Sequence, residues 1–225
     1  MSFYVVGTPI GNLEDITMRA IAVLSSVDLV LCEDTRVTSR LLERYHIQTP
    51  MLSYHTHSGA SKVTAILKLL EAGKSVALVS DAGTPGISDP GSVLVAAVRE
   101  KFPLLPIIAI PGPSAVAAAL SISGLPSSDF LFLGFLPHKK GRETLFKEIL
   151  ASKRTTVFYE SPHRILKTLE KLNTLLSPKR HVMVARELTK VYESIVAGSA
   201  PEVLTHFKEH ADQVRGEFVV MVGPD

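Results

Sequence analysis

The stretch VALVSDAGTPGISDPG, residues 76–91, decides the fold that this sequence predicts. Residues 76–80 carry no charge, as is typical of a strand buried on both faces of a parallel sheet. From Asp81 onward, glycines allow close backbone approach and prolines stiffen the chain. Ligands of open α/β sheets bind beyond the carboxyl ends of the strands, so this loop is a candidate binding site. The alternative is an ordinary strand-to-helix connection.

Composition indicates a globular chain of 225 residues, 46% hydrophobic and 20% charged. The single cysteine, Cys32, excludes an intramolecular disulfide and is predicted to be a small core residue. The single cysteine fits a reducing cytoplasm, which is the expected location, and residues 1–12 lack the features of a signal peptide. The uncharged run 102–128 is interrupted by five prolines, so we expect buried core and no membrane span.

The net charge of +2 is too small to indicate a nucleic-acid partner by itself. Its distribution is uneven, because residues 118–225 carry +3 and residues 1–117 carry −1. This asymmetry is compatible with a polyanionic partner and equally with a solvated surface.

Strands and helices alternate along the first half of the chain, which predicts an α/β domain with a parallel sheet over residues 1–120. Shorter connections favour a second α/β domain with a mixed sheet over residues 121–225. Two such domains predict a ligand cleft between them. The first loop, residues 7–12, is not a dinucleotide fingerprint, because Pro9 replaces the second glycine.

Polar residues at other strand ends allow more than one interpretation. Asp34 is expected to cap a helix, and Arg36 is a substrate-facing candidate. Ser161 is predicted to cap a helix with Pro162 at its first position. The pattern His55-Thr56-His57 could chelate a metal, but further ligands are missing, so we favour a polar loop and predict no metal site.

Six motifs occur in order: VVGTPIGN (5–12), CEDTR (32–36), SDAGTPGISDPG (80–91), IPGPSA (110–115), FYESPHR (158–164) and RELTK (186–190). With them the chain closely resembles the tetrapyrrole methylase superfamily, and within it the branch that methylates RNA. The resemblance implies two α/β domains of this type with the cofactor cleft between them, and a homodimer. It also implies S-adenosylmethionine-dependent 2′-O-methylation of a cytidine ribose in small-subunit (16S) ribosomal RNA, with that RNA or the 30S subunit as partner.

The resemblance also carries over cofactor contacts by motif position. In the first domain these contacts are Ile10, Asp81, Gly83, Thr84, Ser114 and Ala115. Asp81 is expected near the methionine part of the cofactor. In the second domain they are Phe158, Tyr159, Ala185 and Arg186.

The chain departs from the tetrapyrrole-modifying members at two motifs. It has Ser80-Asp81-Ala82 where they usually carry G-D-P, and Ser114-Ala115 where they carry a serine pair. Both differences argue against a porphyrin as the substrate. Many RNA-methylating members continue into a helical tail beyond the position of Asp225, and any RNA contact of such a tail would be missing. The alternatives are a methyltransferase for a tetrapyrrole precursor and a non-catalytic S-adenosylmethionine sensor that docks on the ribosome.

A ribose hydroxyl is a poor nucleophile, so catalysis requires orientation and proton removal. Among polar residues at strand ends, Glu187 and Lys190 are the first catalytic candidates, ahead of Glu160 and His163. The alternative is a structural ion pair among Arg186, Glu187 and Lys190.

RNA binding would depend on cations and on stacking surfaces. The predicted phosphate contacts are Arg36, Lys139, Lys140, Arg142 and Arg164. Phe135, Tyr159 and His163 are candidates for base stacking, but Phe135 ends an alternating apolar run, so we favour a core position for it.

Overall fold

Strand β4 (Val76–Leu78), the strand of the 76–91 stretch, lies at the centre of a five-stranded sheet in a computed structural model that describes residues 1–56 and 58–224. The other strands are β1 (Phe3–Val6), β2 (Leu29–Cys32), β3 (Met51–Ser53) and β5 (Ile107–Ile110). The sheet order is β3-β2-β4-β1-β5, and all of these pairs are parallel. The parallel sheet predicted for the first domain is confirmed.

Helices α1 (Met18–Ser26) and α2 (Thr35–Arg44) cover one face of this sheet, and α3 (Ala60–Glu71) and α4 (Gly91–Lys101) cover the other. Strand β4 supplies both cores because its side chains alternate. Ala77 and Val79 pack with the α1–α2 side, and Val76 and Leu78 pack with the α3–α4 side. This two-sided burial is the physical reason why the strand carries no charge.

Local caps fix where the first helices begin. The Thr17 side chain accepts a hydrogen bond from the Ala20 amide (3.1 Å) at the start of α1. The Asp34 carboxylate accepts one from the Arg36 amide (2.8 Å) at the start of α2, so the predicted cap is confirmed. Cys32 is fully buried in the core, as expected of a small apolar residue.

The second sheet has the order β6-β7-β10-β8-β9. Its strands are β6 (Phe130–Phe135), β7 (Thr155–Glu160), β8 (His181–Arg186), β9 (Ser194–Ser199) and β10 (Phe218–Val222). Strands β6 and β7 pair in parallel and the other pairs are antiparallel, so the predicted mixed sheet is confirmed. Its helices are α5 (Ala115–Ser121), α6 (Arg142–Ala151), α7 (Ile165–Leu175) and α8 (Ala200–Glu209).

Backbone contacts divide the chain into two compact units, Met1–Ser114 and Ala115–Asp225. The sequence placed the division after residue 120. The difference is helix α5, which contacts β10 and therefore belongs to the second unit. A core that includes Phe146, Leu169, Phe207 and Val220 holds this unit together.

Two local expectations need correction. Helix α7 begins at Ile165, not near Pro162, because the Ser161 carbonyl accepts hydrogen bonds from the amides of Arg164 and Ile165 (both 3.0 Å) and closes a turn first. The run 102–128 contains β5 and α5 as expected, yet Leu104 is 97% exposed, so the run is not buried throughout. No helix in the described part of the chain is long and apolar enough to cross a membrane.

Candidate functional site

Three loops are joined at the carboxyl end of the first sheet. The amide of Thr8 donates to the Gly83 carbonyl (2.9 Å), and the amide of Gly83 donates to the Thr8 carbonyl (3.1 Å). The buried Thr8 hydroxyl lies within hydrogen-bonding distance of the carbonyl oxygens of Ser80 (3.0 Å) and Gly83 (3.3 Å). The loop after β1 is thereby fastened to the loop after β4.

The loop after β5 joins the same junction. The hydroxyl of Thr84 donates to the Pro113 carbonyl (3.2 Å). Gly7 and Gly112 approach so closely that a Cβ built on Gly7 would lie 2.8 Å from Gly112 Cα. Gly83 has a φ of +84°, and a Cβ there would lie 3.3 Å from Ile10 Cγ2. Side chains larger than hydrogen are therefore excluded where these loops meet.

The junction brings together four of the predicted cofactor residues. Ile10 and Gly83 are buried and adjacent, Thr84 is half-buried, and Ser114 follows the carbonyl that Thr84 contacts. Ala115 is half-buried at the start of α5. Sequence reasoning missed Thr8, whose buried hydroxyl links the loops, because its role depends on pairing across 75 residues.

Asp81 is exposed at the edge of the junction, and its Oδ1 accepts a hydrogen bond from the Asp34 amide (2.9 Å). Hydrogen bonds from Arg36 hold the pKa of the Asp34 carboxyl down at about 2. Burial and the neighbouring charges of Asp81 and Asp89 raise the pKa of Glu33. Arg36 offsets the charge of Asp34, and the carboxylates of Glu33 and Asp81 leave the carboxyl ends of β2 and β4 with an excess of negative charge, which attracts a cationic group.

The second unit holds the remaining predicted cofactor residues. Phe158 and Ala185 are fully buried in strands β7 and β8, so neither side chain is exposed to a ligand. Tyr159 is half-buried, and burial raises the pKa of its hydroxyl. Arg186 is buried and donates to the carbonyls of Arg215 (2.8 Å) and Tyr192 (2.9 Å). The hydrogen bonds of the Arg186 guanidinium therefore stabilise the loop after β8.

Glu187 and Lys190 form an ion pair (2.8 Å) in that same loop. Lys190 also pairs with Glu217 (2.8 Å), whose amide donates to Glu187 Oε1 (2.9 Å). Glu187 has a φ of +51°, and a Cβ on Gly216 would overlap its carboxylate. The ion pair predicted as the alternative exists, but with Glu217 as the third member, since the side chain of Arg186 contacts carbonyls. Glu217 was missed because antiparallel pairing of β8 with β10 brings it there.

Both charges of this pair are stabilised. Burial opposes ionisation of Glu187, but hydrogen bonds from Lys190 and from the Glu217 amide outweigh it and lower its pKa. Burial likewise disfavours the Lys190 ammonium, but its bonds to Glu187 and Glu217 prevail and raise its pKa. At neutral pH Lys190 is a cation that can donate hydrogen bonds but cannot accept a proton.

Arg142 and Arg164 occupy a different environment from the one predicted. Glu160 is fully buried and pairs with Arg142 (3.2 Å) and Arg164 (2.8 Å), and it accepts from the Thr168 hydroxyl (2.7 Å). Arg142 also donates to the Pro137 carbonyl (3.2 Å) and Arg164 to that of Leu136 (2.6 Å). These nitrogens bind protein acceptors, so we assign both arginines a structural role in place of phosphate contacts.

The other predicted RNA-binding residues lie on the surface. Arg36 is exposed and paired with Asp34, and Lys139, Lys140 and His163 are exposed on loops of the second unit. Phe135 is 56% exposed, so its predicted core position is wrong. His57 lies outside the described residues. Within residues 1–56 and 58–224, no three His, Cys, Asp or Glu side chains are arranged to hold a metal ion.

Comparisons with known proteins identify the family. The profile of the family described as Tetrapyrrole (Corrin/Porphyrin) Methylases matches residues 2–204. Ribosomal RNA small subunit methyltransferase I from Synechocystis sp. is 46% identical over 97% of this chain and 77% of its own length. The protein of the same name from Escherichia coli O157:H7 is 46% identical over 97% of this chain and 76% of its own length.

The fold also matches a solved structure, uroporphyrin-III C-methyl transferase from Thermus thermophilus complexed with S-adenyl homocysteine. The TM-score is 0.67 at 19% identity, covering 99% of this chain and 97% of that one. At that identity the match establishes the fold alone. Together with the family profile and the relatives, it shows that the chain belongs to the tetrapyrrole methylase family, and within it to the group that contains ribosomal RNA small subunit methyltransferase I.

Proposed function

We propose that the chain transfers a methyl group from S-adenosylmethionine to the ribose 2′-hydroxyl of a cytidine in small-subunit (16S) ribosomal RNA. The reaction class and the methyl donor follow from family membership. The proposal that the substrate is RNA is supported by the 46% identity to ribosomal RNA small subunit methyltransferase I over 97% of the chain. The finer assignment to the cytidine ribose rests on the motifs of the RNA-methylating branch.

The junction of the three loops fits the cofactor. It combines close-packed glycine backbone, where no side chain fills the space, with an exposed carboxylate at Asp81. S-adenosylmethionine carries an ammonium group at its amino-acid end and a sulfonium centre, and the carboxylates of Glu33 and Asp81 complement both. We assign Asp81 as an acceptor near the amino-acid end, with Ile10, Gly83, Thr84 and Ser114 beside it.

We assign the chemical step to Glu187 and Lys190. S-adenosylmethionine supplies the electrophilic methyl group. When the ribose oxygen attacks it, an O–C bond forms, the S–C bond breaks and the hydroxyl proton must leave. Lys190 is held as a cation, so its proposed task is to orient the hydroxyl by hydrogen bonding and to fix Glu187. Oε1 of Glu187 accepts from Lys190 and from the Glu217 amide, and Oε2 is the proposed proton acceptor.

RNA contacts are proposed for exposed cations. Lys139 and Lys140 of the second unit and Arg36 of the first would contact phosphates, and the exposed ring of His163 would stack on a base. We further propose that the enzyme acts in the cytoplasm as a homodimer.

Methyl transfer from labelled S-adenosylmethionine tests the proposal directly. The purified chain would be incubated with 30S subunits, with protein-free 16S RNA and with a tetrapyrrole precursor. Label in 2′-O-methylcytidine after nucleoside digestion supports the proposal, and the modified linkage must resist alkaline hydrolysis. Label in the macrocycle would establish the tetrapyrrole alternative, and cofactor binding without transfer to any acceptor would indicate a sensor.

A further inference from the structure

The exposure of Phe135 has a specific backbone cause. Strand β6 pairs Phe132 with Val157 and Phe135 with Tyr159, so β6 uses one residue more than β7 over this interval. Gly134 has a φ of +62°, the left-handed conformation found in bulges. The extra residue breaks the inward–outward alternation and turns the Phe135 ring toward solvent. Bulges of this kind re-aim side chains next to functional sites.

One side of the exposed Phe135 ring packs against other aromatic rings. Phe135 and Tyr159 have ring centroids 5.2 Å apart, and Tyr159 meets Phe132 edge-on at 5.1 Å. One face of the aromatic cluster is therefore packed, and Phe135 is presented as a pre-positioned flat apolar surface.

Cations follow this surface directly. The sequence from Phe135 to Arg142 is FLPHKKGR, which contains no acidic residue. His138, Lys139 and Lys140 are exposed in the middle of this segment. The buried Glu160 pairs with Arg142 at one end of the segment. It also pairs with Arg164, which donates to the Leu136 carbonyl at the other end. The nearby turn adds the exposed His163. An exposed aromatic ring beside exposed cations is the combination that binds single-stranded nucleic acid.

We propose that Phe135 is a base-stacking residue for an unpaired nucleotide of the RNA substrate, with Lys139 and Lys140 contacting the adjoining phosphates. The cations make RNA the better occupant of this surface than a second apolar protein face, since an apolar face would leave the lysine charges unpaired on burial. This inference rests on the proposed function, because it names how that substrate would be held.

A fluorescence measurement tests the stacking without any need for activity. The chain contains no tryptophan, so Phe135→Trp introduces a single reporter at the site. Titration with a short single-stranded RNA should quench its emission, whereas a blunt RNA duplex of equal charge should quench it far less. The matched control is Phe130→Trp at the other end of the same edge strand, where Phe130 is 40% exposed.

The second test compares the RNA affinities of variants at Phe135 and Phe130. Phe135→Ala should weaken binding of the single-stranded RNA roughly 5- to 150-fold, the range found for one stacked base. Phe135→Leu keeps an apolar side chain without the π face and should lose nearly as much, whereas Phe135→Tyr should retain binding. Phe130→Ala should bind as the unmodified chain does. The melting temperature of each variant shows whether the fold is intact.

Salt dependence provides the third arm, which tests the phosphate contacts. Each phosphate contact contributes roughly 0.7 to the slope of log affinity against log salt for single strands, so replacing Lys139 and Lys140 together by alanine should lower the slope by about 1.4. Lys68→Ala with Lys74→Ala, in the first unit, is a control of equal charge.

Three results would overturn the inference. One is equal RNA affinity for Phe135→Ala and Phe130→Ala. Another is an unchanged salt slope in the double lysine variant, which would place the RNA away from the 138–141 loop. The third is a tryptophan emission of the Phe135→Trp variant that does not change when RNA is added but does change with protein concentration. That result would show that two copies of the chain contact each other through this surface. If the unmodified chain methylates RNA while any of these is obtained, only this inference fails. If it methylates no RNA at all, the proposed function fails first.

Discussion

Thr8 and Gly83 exchange two backbone hydrogen bonds, 2.9 Å and 3.1 Å long, and so lock the loop after β1 to the loop after β4. The pair is an isolated bridge outside the sheet, and the Thr8 side chain reinforces it through the carbonyls of Ser80 and Gly83. Two loops that are otherwise separate connections thus become one rigid wall. Rigid backbone lowers the entropic cost of holding a ligand.

Thr8→Val should weaken both this wall and cofactor binding. The change keeps the shape of the side chain but removes a buried donor, which costs about 1–3 kcal/mol of unfolding free energy. Thr8→Ser is the matched control, because it keeps the hydroxyl. Urea denaturation measures the stability, and calorimetry measures the affinity for S-adenosylmethionine. Unchanged cofactor affinity in Thr8→Val would remove the junction from the binding site.

Asp81→Asn should weaken cofactor binding with little change in stability. The amide keeps an acceptor for the Asp34 N–H but loses the negative charge proposed to attract the cofactor ammonium. Hydrogen bonds to charged groups contribute about 1.5–3 kcal/mol, so we expect a loss of roughly tenfold or more in affinity. Asp15→Asn, at an exposed site of the same unit, is the control. Full affinity in the Asp81 variant would show that the pocket lies elsewhere.

Glu187→Gln should lower the rate of methyl transfer by roughly 10²-fold or more, the range for loss of a general base, while cofactor affinity is retained. Lys190→Met should also slow the chemical step, because Glu187 then loses its ion-pair partner. Single-turnover kinetics with 30S subunits separates the chemical step from binding, and Glu209→Gln on α8 is the exposed control. Unimpaired transfer in both variants would leave the pair a structural role only.

The same pair predicts a pH dependence of stability. The pKa of Glu187 lies below its ordinary value of 4.5, so its ionised form stabilises the fold above that value, and this contribution is lost as pH falls through the lowered pKa. The pKa of Lys190 lies above 10.5, so its contribution is complete below 10.5 and is lost as pH rises through the raised pKa. The stability difference between the unmodified chain and Glu187→Gln should therefore shrink as the pH falls below the ordinary value of 4.5. A difference that grows instead would contradict the assignment.

Glu160→Gln should destabilise the second unit strongly. Removing the carboxylate leaves Arg142 and Arg164, which are 16% and 15% exposed, without their anionic partner. Breaking a buried ion pair costs about 3–5 kcal/mol, which denaturant titration would detect. Glu143→Gln breaks the solvent-exposed pair with Lys171 and should cost at most about 1 kcal/mol. Equal costs for the two variants would show that the Glu160 cluster is not a structural centre.

Much of the fold and of the loop junction was predictable from the chain itself. An uncharged apolar run such as 76–80 is typical of a strand buried on both faces, and glycines such as Gly7 and Gly83 at strand ends allow close backbone contact. The Asp34 cap needed only its neighbours in sequence, because such a cap contacts the next turn.

Other features were decided by the tertiary structure. Arg142 and Arg164 resemble surface cations in the sequence, yet both bind a glutamate that is 18 residues from one and 4 from the other. Glu217 reaches Lys190 only because two strands pair antiparallel. Phe135 faces solvent because one extra residue in β6 reverses its alternation. Local pattern determines which segments are buried, whereas the partner of a charge and the direction of a bulged side chain depend on residues that only folding brings together.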